Sequence, residues 1–288
     1  MAYPVISAPY GLKPVNEIGG LPYAGSTRMV PIATGYAANI FYGDVVKFSA
    51  GTAIQDTYTP ATAPTAPIPG VIGIFVGCEY TLPATNQRIR AQYWPTGTVA
   101  NDAVAYVIDD PRTVFKAVVG SQATSLSNTS SGIGAMSQQF VGTNVYPLYG
   151  SAGNTLNGDS AVSVSGGVVT NGTGNTRVIT AAPFRVVGLV PESATSVSAV
   201  ASTSGSSATV TLTAANSAIL AGMQLIAPSG TGSLAGNYIT VTNVNGVTLT
   251  VSSAITLASG TAVTFVGYPE VLVTWNNTFH SYTNLAGI

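Results

Sequence analysis

The sequence predicts an all-β protein: an antiparallel β-barrel or sandwich with an extended N-terminal arm and an inserted small β module. Three observations lead there. Short runs rich in Val, Ile, Tyr and Phe recur along the chain, punctuated by Gly, Pro and Asp. No stretch sustains a helical period over three turns. Only 7% of the 288 residues are Asp, Glu, Lys or Arg, against roughly 25% in an ordinary globular domain. Gly, Ala, Ser, Thr and Val stand in their place.

Residues 1–27 read as the arm. Pro4, Pro9 and Pro14 deny it a helix, and its apolar residues follow no clean period. Such a ribbon gains order by lying on something else, because it does not satisfy its own backbone. The candidate contact residues are Tyr3, Pro4, Pro9, Tyr10, Leu12, Lys13, Pro14, Glu17, Leu21 and Tyr23. Lys13 and Glu17 are the arm's charges, placed to set register against a neighbour. The arm is expected to be dispensable for folding and required for binding.

The core domain is expected over 28–192 and 266–288. Its strands are read in RMVPIA (28–33), NIFYGDVVKFS (39–49), GVIGIFVGCEYTL (70–82), QRIRAQYWP (87–95), AVAYVIDDP (103–111) and TVFKAVV (113–119). In QRIRAQYWP the alternation puts Ile89, Ala91 and Tyr93 on one face and Arg88, Arg90, Gln92 and Trp94 on the other. Residues 52–69 read as a Pro/Thr/Ala loop, since the prolines from Pro60 to Pro69 forbid a central strand. Residues 120–158 carry no charge and read as a long neutral loop, irregular around VYPLYG. Strands return in AVSVSGGVV (161–169), TRVIT (176–180) and PFRVVGLV (183–190).

Residues 193–265 are also free of charge and read as the inserted module. FRVVGLVPE (184–192) is echoed by TFVGYPEVLVTWNN (264–277), so excision would join two consecutive strands of one sheet. Insertions are tolerated where their ends lie close together. Inside the module SATVTLTAA (207–215), MQLIAP (223–228), NYITVTNVNGVTLTVSS (237–253) and TAVTF (261–265) alternate. Asn245-Gly246 is a hairpin signal.

Little in the chain suggests chemistry. The formal charge is -1 and no basic patch exists, so direct nucleic-acid binding is not expected. A single cysteine, Cys78, excludes an internal disulfide and reads as a buried strand residue. The single histidine, His280, reads as a surface or packing residue. Asp109-Asp110-Pro111 reads as a turn in which a carboxylate accepts backbone N–H groups. No phosphate-loop, dinucleotide or zinc pattern occurs. No catalytic residue, cofactor or metal is expected, and the chain is not expected to be an enzyme. Neither a membrane-spanning apolar run nor a secretory signal is read. A surface of hydroxyls and small apolar groups suits a permanent assembly.

Several phrases taken together resemble a family of tailed-bacteriophage virion proteins, described as head decoration, cement or minor structural proteins. They are APYGLKPV (8–15), GGLPYAGSTR (19–28), YGDVVKF (42–48), GVIGIFVG (70–77), YWPTGTVANDAVAYVIDDPRTVFKAV (93–118), FRVVGLV (184–190) and VLVTWNNTFH (271–280). The resemblance leaves 193–265 outside. It implies a capsid decoration or cement protein on the outer surface of the phage head, binding and bracing the major capsid protein and itself a homotrimer. No catalytic residue carries across. The module would project outward, where a host-surface glycan is a ligand it would meet. Two alternatives stay open: another virion component, such as a major capsid or tail protein, and a carbohydrate-binding surface module. The long amphipathic helix of a common shell protein and the repeats of a tail fibre are both missing from the sequence.

Overall fold

The computed structural model describes residues 6, 8–57, 71–120, 141–149, 153–165, 169–170, 176–177, 182–193, 196–226, 239–276 and 280. The protein is all-β, built from several largely antiparallel sheets.

The first strands are β1 (Lys13–Glu17), β2 (Arg28–Pro31), β3 (Val45–Ser49), β4 (Thr52–Gln55), β5 (Val71–Leu82), β6 (Gln87–Ala91), β7 (Val104–Ile108) and β8 (Thr113–Gly120). One sheet runs β2-β7-β5-β3-β4, and its edge strands β2 and β4 approach each other, so it nearly closes. Strand β7 takes one edge of β5. Strands β3 and then β6 share the other. The apolar run of β5 does not alternate because both its faces are buried. Ile72 and Phe75 point into a core with Val46, Ala105, Val107 and Trp94. Val71 and Ile74 join a second core with Val45, Ile108, Phe115 and Trp275.

That second core is shared with a second sheet. Its further strands are β9 (Asn144–Val145), β10 (Pro147–Leu148) and β11 (Ser163–Ser165). After a separate two-strand pair, β12 (Val169–Thr170) and β13 (Thr176–Arg177), comes β14 (Phe184–Val190). The sheet order is β10-β11-β8-β21-β14-β9, where β21 is Glu270–Trp275, and β1 pairs β8 beside β11. Trp275 is its anchor, with its ring 4.6 Å from Phe184 and 6.0 Å from Phe115. Each such fully buried side chain contributes about 1.5–3 kcal/mol of transfer free energy.

A third sheet comprises β15 (Ser196–Val200), β16 (Gly205–Thr211), β17 (Gln224–Ile226), β18 (Ile239–Asn245), β19 (Thr248–Leu257) and β20 (Ala262–Val266). Its order is β15-β20-β17-β18-β19-β16, and the Ala201–Leu212 bridge brings the last strand back to the first. Val210, Leu249, Val263 and Phe265 lie in its own core. The β18–β19 hairpin turns at Gly246, whose φ of 59° supplies the positive angle a tight hairpin needs. At its root, β14 and β21 pair from Phe184↔Trp275 to Val190↔Glu270. The Ser193 hydroxyl donates to the Val190 carbonyl at 2.7 Å and accepts the Glu270 N–H at 2.6 Å, tying the two ends together.

Four sequence expectations change. The arm contains an ordinary strand, β1, paired with β8. Pro14 is tolerated there because it lies beside an irregularity in the pairing. Strand β4 occupies the start of the expected loop at 52–69, where the prolines have not yet begun. Strands β9 and β10 fall inside the expected irregular stretch at 120–158. Finally, Trp94 does not share a face with Arg88 and Arg90. β6 stops at Ala91, and a bridge to Ile40 turns the Trp94 ring into the core, edge-on to Tyr80. Residues 58–69 and 121–140 of the expected loops lie outside the described residues.

Candidate interface

The opening segment begins with two glycines meeting back to back. Gly11, from APYGLKPV, and Gly43, from YGDVVKF, both have positive φ, at 80° and 95°. A Cβ on Gly11 would stand 2.9 Å from the Gly43 Cα, and one on Gly43 would stand 2.9 Å from the Gly11 Cα. Backbone bonds hold the pair in place: Leu12 N–H to Gly43 O at 3.0 Å and Gly11 N–H to Val162 O at 3.0 Å. The adjoining Asp44 is buried, which pushes its carboxyl up. It accepts bonds from the Ser160 hydroxyl, the Phe41 N–H and the Gln55 amide, and these oppose the shift.

The candidate contact residues then separate into three groups. Leu12 is fully buried in the chain's own core, so it is not a surface contact. Tyr10, Lys13 and Pro14 are half-buried against their own chain. The Tyr10 hydroxyl donates to the Glu270 carboxylate, which Lys116 also approaches at 3.1 Å. Burial, then that bond, raises the Tyr10 hydroxyl above its ordinary pKa. Lys13 pairs with Asp159 at 2.5 Å and sits 3.8 Å above the Tyr42 ring. Burial lowers its pKa, and Asp159 opposes that. Lys13 is thus engaged within its own chain, by Asp159 and the Tyr42 ring. Pro9, Glu17 and Tyr23 are also half-buried, and Tyr23 packs against the core. Tyr3 and Pro4 lie outside the described residues.

Leu21 is different. Beyond β1 the chain makes a tight hairpin, with Gly20 N–H to Glu17 O at 3.0 Å and Glu17 N–H to Leu21 O at 2.8 Å. Gly19 and Gly20 supply positive φ at the turn. Ile18 N–H bonds Arg112 O at 2.9 Å, fastening the hairpin to the Asp109–Asp110 turn. There the Asp110 carboxylate accepts the Arg112 N–H at 2.8 Å and serves the turn, while the Asp109 carboxylate faces Arg28 at 3.6 Å. The hairpin leaves Val15, Ile18 and Leu21 exposed at 46%, 49% and 59%. Sequence reading named Leu21 but missed Val15 and Ile18, because nothing in the pattern shows which face of β1 turns to the core.

No protein family, curated protein or solved structure matches this chain.

A second feature was not legible in the sequence. Glu79 of β5 is buried at 2% exposure, yet contacts Arg88 and Arg90, with the Arg90 Nε at 2.6 Å. The Tyr106 hydroxyl donates to the same carboxylate at 2.8 Å. Beside this cluster lies an open cleft of about 490 Å³, bordered by Tyr42, Gly77, Arg90, Gln92 and Tyr106. The signal was present in the Arg88/Arg90 alternation, but its partner required the β5–β6 register. Cys78, next to Glu79, is buried, and its thiol is pushed up to about 12. Buried thiols of this kind act as packing groups. His280 is fully buried and sits 5.2 Å from the Trp275 ring; it is a packing residue, not a surface one. Among the described residues no group of three metal-ligating side chains clusters, and no helix is long and apolar enough to cross a membrane.

Proposed function

We propose that the protein is a structural component of a bacteriophage virion, a decoration or cement protein that binds and braces the major capsid lattice from the outer surface of the head. The observation that carries this reading is the hairpin at 15–22, with three half-exposed apolar side chains held on a hydrogen-bonded, paired base. Exposed apolar groups on a fixed scaffold make an economical contact, because little conformational entropy is lost on docking. Repetition over a lattice multiplies a modest contact into a lasting one. The sparse charge and the resemblance of APYGLKPV, YGDVVKF and VLVTWNNTFH to head decoration proteins support the same reading. A homotrimer fits the three-fold positions of such a lattice.

The test uses phage heads lacking the protein. Wild-type chain is expected to co-sediment with them and to appear on their surface by cryo-electron microscopy. The double variant Ile18→Asp with Leu21→Asp is expected to bind at least about tenfold more weakly, with an unchanged melting temperature. Wild-type occupancy by that variant, or no density on the head surface, would defeat the proposal.

A further inference from the structure

Three Asn-Gly steps occur in the sequence: Asn157-Gly158, Asn171-Gly172 and Asn245-Gly246. Such a step rearranges by itself where the backbone allows it. The glycine amide nitrogen, once a solvent base takes its proton, attacks the asparagine Cγ. An N–Cγ bond forms, the Cγ–Nδ2 bond breaks, and ammonia leaves. Water then opens the resulting succinimide at one of its two carbonyls. Opening at Cγ gives aspartate. Opening at the main-chain carbon gives isoaspartate, with an added methylene in the backbone. Glycine favours the attack because it has no Cβ to shield the nitrogen, and water is the only reagent consumed.

The fold treats these steps differently. Asn171-Gly172 lies outside the described residues. At Asn157 both reacting groups are engaged. The Gly158 N–H donates to the Asn154 carbonyl at 2.7 Å, and the Asn157 Oδ1 accepts the Asp159 N–H at 3.0 Å. Gly158 is also packed, since a Cβ there would stand 2.9 Å from the Gln92 Cβ. At Asn245 these restraints are missing. Asn245 and Gly246 are both exposed. Among the described residues neither the Gly246 N–H nor the Asn245 side-chain amide has a hydrogen-bond partner. A Cβ on Gly246 would meet nothing within 4 Å, so the approach is open. Ring closure requires the Asn245 backbone to leave its extended conformation. Asn245↔Thr248 is the last pair of the β18–β19 ladder, and ladder ends open at little cost. The Val247 carbonyl accepts the Leu212 N–H at 2.8 Å and anchors the far side of the turn. The chemical consequence is large for this region, because residues 193–265 carry no charge.

We propose that Asn245 is a self-modification site, converted through a succinimide with the Gly246 nitrogen into aspartate and isoaspartate, so that the module acquires a negative charge as the protein ages. The inference is independent of the virion reading.

The experiment incubates the full chain in warm, mildly alkaline buffer, with a parallel sample unfolded in urea. Peptide mapping by mass spectrometry follows each asparagine, with electron-transfer fragmentation to separate aspartate from isoaspartate. In the native chain Asn245 is expected to convert at least about tenfold faster than Asn157, with both products present. In urea the two sites are expected to convert within about threefold of each other, because the bonds that protect Asn157 are gone. Asn245→Gln is expected to remove most of the new acidic form resolved by isoelectric focusing, and the unvaried chain carries the test if that variant unfolds. The proposal is overturned by conversion at Asn245 no faster than at Asn157 in the native chain. Aspartate without isoaspartate at position 245 would overturn it too, since that product needs no ring. So would a native rate ratio that persists in urea, or an acidic form undiminished by Asn245→Gln.

Discussion

The Gly11–Gly43 contact shows why two short phrases far apart in sequence belong together. Neither position has room for a side chain, and each has a backbone angle that glycine adopts freely. They place Leu12 in the core and bring Asp44 against Ser160. A second residue with a consequence for the whole chain is His280, the protein's single histidine. Burial lowers its pKa below the ordinary 6.5. The unfolded chain therefore takes up the proton first as the pH falls. Stability is fully present above the unfolded value and is lost as the pH drops toward the folded one. Urea midpoints measured between about pH 7.5 and 5.5 are expected to fall with acidity. His280→Gln is expected to flatten that slope, and an equal slope in the variant would assign it to other groups.

At the scale of elements, β1 alters what the opening segment means. Its pairing with β8, the burial of Leu12 and the Tyr10–Glu270 bond make it part of the sheet. Deleting residues 2–17 would uncover an edge of β8 and strand a largely buried carboxylate, so the truncated chain is expected to aggregate or unfold. Leu12→Ala is expected to cost about 2–5 kcal/mol, measured as a lowered urea midpoint. A shift below about 0.5 kcal/mol would return the segment to the status of a loose arm. The strand was hidden in the sequence because its partner lies some hundred residues on and Pro14 argues locally against pairing. By contrast, β5, β7, β8 and the β18–β19 hairpin were legible, since their β-branched and aromatic runs and Gly246 act through local chemistry. What local chemistry does not encode is register. That is why Trp94 was assigned to the wrong face, and why Glu79 was not joined to Arg88 and Arg90. Of the interface, the segment and Leu21 were legible, while the division between buried and exposed positions was not.

At the scale of the molecule charge is sparse, and several of the charges present hold segments together. Lys13–Asp159 and Lys116–Glu270 join parts distant in sequence, and Lys47–Asp56 ties the ends of the β3–β4 hairpin. The third sheet needs none, being closed by its own strands and core. Joining Val190 directly to Glu270 through Asn-Gly is therefore expected to leave the first two sheets folded. Their unfolding should remain cooperative, and loss of the near-ultraviolet signal of Trp94 and Trp275 would contradict this. The Ser193 tie has a mechanical corollary. Both ends of residues 196–266 are rooted at the same end of the β14–β21 pair. A pull on that module draws the two strands lengthwise in one direction, so the bonds between them carry no load. The force passes instead to the ladder between β21 and β8, where bonds lying across the strands resist in shear and must yield together. The molecule is thus wired to tolerate tugging from outside without unzipping.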